Sequence, residues 1–123
     1  MSPITLIAFG IVGAILLELF TIYLRFGRRM TAPETTAWLG RMTRGYRVHH
    51  GYHGFTLIPA GMLIFPGAFG EWLAIAGIAL LLSDAIHHFI VLKWVTGHHE
   101  FWVKYPPREI RAEYPVEELK KAA

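Results

Sequence analysis

Apolar positions in this chain come in blocks rather than in alternation. Residues 4–24 read ITLIAFGIVGAILLELFTIYL, with Glu18 as the one charge. At 1.5 Å per residue such a helix covers about 30 Å, the thickness of a bilayer's hydrocarbon core. A secretory leader would start basic and carry a shorter apolar run. Here Arg25, Arg28 and Arg29 follow the block, so the pattern predicts a retained membrane helix. A second block, residues 49–69, carries Pro59 and Pro66 and places His49, His50 and His53 in its first turns. A third, residues 72–95, opens as WLAIAGIALLL and then turns polar with Ser83, Asp84, His87 and His88. Between these two lies a short Pro66–Gly67 hairpin, too brief for anything but an antiparallel return. The expectation is an all-α membrane protein, one domain over residues 1–123, with three transmembrane helices.

Charge orients the three spans. The loop of residues 25–48 holds Arg25, Arg28, Arg29, Arg41, Arg44 and Arg47 against one acid, Glu34. Basic loops stay on the cytoplasmic side. This predicts the N-terminus outside, the basic loop inside, a short outer hairpin, and a cytoplasmic tail over residues 96–123. The chain would then be a multi-pass protein of the cell or inner membrane. Thr31 to Glu34 fits a capping box, so a short interfacial helix through Trp38 and Leu39 is expected in the loop.

Composition agrees. Apolar residues make up 54% of the chain and charged residues 17%. With a mean hydropathy of +0.38, this excludes disorder and charged coiled coils. The net charge of +3 reflects arginines beside anionic headgroups. No basic stripe is interleaved with stacking aromatics, so nucleic acid is not an expected partner. The expected partners are membrane lipids and further subunits, either copies of this chain or members of a larger membrane complex.

The chemistry lies in the polar residues inside the apolar blocks. There is no cysteine and there are seven histidines, which excludes thiolate and iron–sulfur sites. Glu18 would lie roughly 21 Å, His53 roughly 24 Å, Asp84 roughly 18 Å and His87 roughly 22 Å below the outer surface. Three helices thus bring ionisable groups to one level. Each costs about 2.5–3.5 kcal/mol if left ionised there, and such groups persist when paired, ion-bound or facing a wet cavity. Spacing adds to this. His49 and His53 would share a helix face, as would Asp84, His87 and His88. Gly10, Ala14 and Glu18 recur every four residues, a small-residue stripe that turns Glu18 into the bundle.

Carboxylate oxygen and imidazole nitrogen without sulfur suit iron, zinc, copper or manganese. The expected ligands are Glu18, His49, His53, Asp84, His87, His88, His98 and His99. They are enough for one metal ion or for a carboxylate-bridged pair, on the plan of carboxylate–histidine helical bundles. A haem between His53 and His88 is the alternative cofactor; an accessory subunit or a proton pathway through Glu18 and Asp84 would also use these residues. Taken singly, each side chain has a plainer reading. The histidines of residues 49–53 and 98–99 would be interfacial, and Asp84 and His87 would pair within their helix.

The segment His49-His50-Gly51-Tyr52-His53 resembles the first histidine box, HxxxH, of the integral-membrane fatty-acid hydroxylases and desaturases. Asp84-Ala85-Ile86-His87-His88 resembles their HxxHH box with Asp in its first position, and Gly97-His98-His99-Glu100 the end of a third. That resemblance implies two irons that activate oxygen. It would make His49, His53, His87, His88, His98 and His99 ligands. The chain would then be a metal-dependent oxidoreductase acting on a lipid or another apolar substrate.

Overall fold

A computed structural model describes residues 1–28, 42–97, 101, 103 and 104. Among these the architecture is all-helical. Helix α1, Pro3–Ile22, starts where Ser2 accepts a hydrogen bond from the Thr5 amide at 3.2 Å and Pro3 takes the first turn. Proline fits there because that amide has no helical partner to lose. The helix widens into a π turn, Tyr23–Gly27. Helix α2, His50–Pro59, is shorter and ends at its own proline. Pro59 has no amide hydrogen and its ring crowds the preceding turn. Just past it the backbone continues as a π turn, Ala60–Ile64, closed by Phe65 N donating to Ala60 O at 3.2 Å.

After Pro66, helix α3 runs Gly67–Ile86 and continues without interruption through a π turn, His87–Leu92, into the short α4, Lys93–Thr96. Gly97, with φ of 76°, ends it in a left-handed cap.

Two helices are long and apolar enough to cross a membrane: Pro3–Gly27, 25 residues, and Gly67–Thr96, 30 residues. The expected second span is different. The helix from His50 through Ile64 is only about 22 Å long at helical rise, because the proline turn at Phe65 and Pro66 ends it early. The expected interfacial helix around Trp38, the Thr31–Glu34 cap, His98, His99 and most of the tail lie outside the described residues.

Helix α3 is the centre of the bundle, with α1 and α2 each packed along it. Small residues make both contacts close. The buried positions of α1 are Gly10, Ala14 and Glu18, the stripe that the four-residue spacing anticipates. A methyl group on Gly54 would fall 2.6 Å from the Gly77 carbonyl oxygen, so α2 and α3 cross nearly backbone to backbone. The outer face of α1, with Ile4, Ile11, Leu16 and Phe20, is exposed. The Met1 amine pairs with Glu71, which puts the start of α1 beside the start of α3. The polar residues therefore collect at the opposite end of the bundle.

Candidate metal centre

At that end, residues 42–49 lead into α2 without helix until His50. His49 is the cap residue, extended at φ −83° and ψ 140°. Its side chain therefore does not follow helical spacing. It turns inward and is 3% exposed, while His53, four residues on, lies exposed on the outer side of α2. The expected His49–His53 face does not form, because one of its two members is not in the helix.

Helix α3 supplies the other side. Consecutive helical residues point about 100° apart, and His87 and His88 use that divergence. His87 faces α1, where its Nδ1 donates to Glu18 Oε1 at 2.9 Å. Ser83, fully buried, donates to the second oxygen of Glu18 at 3.4 Å. His88 faces α2, and its Nε2 lies 3.2 Å from His49 Nδ1. Asp84, one turn before His88, points to the same place.

The polar residues thus divide into two neighbouring groups. The first, Glu18, Ser83 and His87, joins α1 to α3 and is closed by its own hydrogen bonds. The second is built around Asp84, which is 4% exposed. Three ring nitrogens surround its Oδ1: His50 Nδ1 at 3.2 Å, His49 Nδ1 at 3.8 Å and His88 Nε2 at 3.8 Å. Yet Oδ1 is buried and makes no hydrogen bond. Such a group ordinarily costs about 1–3 kcal/mol.

His49, Asp84 and His88 offer donor atoms that all lie within 4.8 Å of one another, the separation a metal ion would need. In a tetrahedral site with ligands about 2.1 Å from the ion, donors sit about 3.4 Å apart. The observed 3.2, 3.8 and 3.8 Å bracket that value. Nitrogen and oxygen donors of this kind suit a first-row transition metal.

Two features shape the surroundings. A methyl group on Gly51 would fall 2.6 Å from Asp84 Oδ2, so only glycine leaves space for the carboxylate beneath α2. Above, the Phe101 ring stacks on His49 at 4.4 Å and meets His88 edge-on at 5.3 Å. Phe101 is held there because Arg47 N donates to Val103 O at 2.9 Å and Tyr46 bridges to Lys104.

Of the residues expected from sequence, His49, Asp84 and His88 meet at one point. Glu18 and His87 pair beside it. His53 is outside, so no arrangement of His53 facing His88 across a haem is present; His88 faces His49 instead. Helical spacing missed His50, which reaches Asp84. The signal was available in the doubled histidine at a helix start, where the cap residue departs from helical geometry.

Comparison with protein-family models, with curated proteins and with solved structures finds no match to this chain.

Proposed function

We propose that this chain is an integral-membrane metalloprotein that holds a transition-metal ion between His49, Asp84 and His88. The observation that carries this reading is the buried Asp84 Oδ1, ringed by imidazole nitrogens and bound to none of them. An apolar bundle has no other reason to keep a carboxylate in that state.

In this reading α1 and α3 cross the bilayer, and α2 lies in the same slab as a shorter third element. Arg25, Arg28, Arg44 and Arg47 flank the centre's end of the bundle, and by the distribution of basic residues that end faces the cytoplasm. The exposed apolar face of α1 meets acyl chains. Iron at this centre would make the chain an oxidoreductase for a lipid or another apolar substrate arriving through the membrane; zinc would make it a site for water activation or for structure.

The test is elemental analysis of the detergent-purified protein with its Asp84→Asn and His88→Ala variants. One transition-metal ion per chain in the wild type, lost in both variants, supports the reading. Folded wild-type protein that stays ion-free after incubation with iron, zinc, copper and manganese in turn overturns it. An absorption spectrum on the same sample identifies iron or a haem.

A further inference from the structure

The three buried donors leave one close neighbour without a role. His50 Nδ1 stands 3.2 Å from Asp84 Oδ1, within hydrogen-bonding distance, yet the two do not form a hydrogen bond. Two polar atoms that approach this closely without bonding each other are arranged as donors to a third atom. The separation also suits neighbouring ligands of one ion, which lie about 3.4 Å apart in a tetrahedral site. We propose that His50 is the fourth protein ligand of the centre, a proposal that rests on the metal reading above.

The backbone explains how two consecutive residues serve one ion. Within a helix their side chains would diverge by about 100°. His49 is instead the extended cap and His50 the first helical residue, so the chain bends between them. The rings reach the same carboxylate oxygen from two sides.

Charge supplies a second reason. A divalent ion beside Asp84 keeps a net charge of about +1 in a site that excludes water, and neutral nitrogen donors must replace the water it loses. Among the described residues, His50 is the remaining imidazole in contact with Asp84. Its side chain is 37% exposed, against 5% for that of Asp84. His50 is therefore the ligand on the open side of the centre. With His50 bound, the ion has four protein ligands, the closed arrangement of a structural site; with His50 displaced, it has three and an open position, as in catalytic sites.

Cobalt(II) tests this, because its visible bands are intense in tetrahedral sites and weak in five- or six-coordinate ones. Wild-type protein loaded with cobalt should show the intense bands. His50→Ala should weaken them, lower cobalt affinity at least about tenfold, and regain the bands on addition of free imidazole. His53→Ala should change neither. A His50→Asn variant and circular dichroism of both His50 variants separate lost ligation from lost folding. Intense bands that persist in folded His50→Ala overturn the proposal and leave the three-ligand centre standing. A wild-type protein that binds no cobalt and no zinc overturns the metal reading itself.

Discussion

The two buried polar groups of this bundle lie one residue apart on α3 and solve the same problem in opposite ways. Glu18, Ser83 and His87 complete one another: a carboxylate accepts from an imidazole and a hydroxyl, and each buried atom named has its partner. Asp84, His49, His50 and His88 converge without completing one another, and an oxygen at their centre makes no hydrogen bond. A satisfied group ties helices together. A convergent group with an unsatisfied acceptor is organised around something further. Burial alone does not separate them, since Glu18 is 5% and Asp84 is 4% exposed; the hydrogen bonds do.

Substitutions can break this contrast. The largest effect is expected from Asp84→Asn. It keeps the shape of the side chain and removes the charge, so ion affinity should fall by more than about a hundredfold in competition with a chelator. The fold should survive, because the α1–α3 tie does not involve Asp84. Glu18→Ala should do the converse. It leaves His87 without its carboxylate and should cost about 3 kcal/mol of stability, seen as a lower unfolding temperature in detergent. The fraction that stays folded should keep its ion. If Glu18→Ala empties the centre without destabilising the bundle, the two groups are one site and the contrast fails.

Gly51→Ala should give a smaller effect. The added methyl pushes against Asp84 Oδ2, and ion affinity should drop about tenfold, the loss expected when a ligand is held off its geometry. Glu18 and His87 should be indifferent to it. The smallest effect is expected from Phe101→Ala. Removing the ring stacked on His49 forfeits about one aromatic contact, so a chelator should extract the ion about threefold faster with unchanged stoichiometry. An identical extraction rate would mean that the ring over His49 does not cover the route to the ion.

Much of the scaffold was legible beforehand. The apolar block before Arg25 predicts α1, and Gly10, Ala14 and Glu18 at four-residue spacing mark its buried face. Helical periodicity works there because the segment is helical throughout. The third block was legible for the same reason, and Asp84 and His88 share a face as their spacing requires. The second block was not, since apolar content cannot show that Pro59 and Pro66 shorten the helix. The histidines of that block were misassigned on the same ground. His53 was preferred to His50 by a rule that holds inside a helix, and His49 stands just outside one.

The order of residues alone determined that long apolar helices form, that Glu18 turns inward, and that acids and imidazoles without sulfur gather in their inner halves. Those are local properties, set by helical rise, by side-chain volume and by the cost of leaving charge in an apolar layer. Tertiary structure decided which of these residues meet. Whether Glu18 or His49 lies beside a given residue of α3 depends on the direction from which each neighbouring helix arrives and on the residue at which α2 begins, and no periodicity within one segment encodes either.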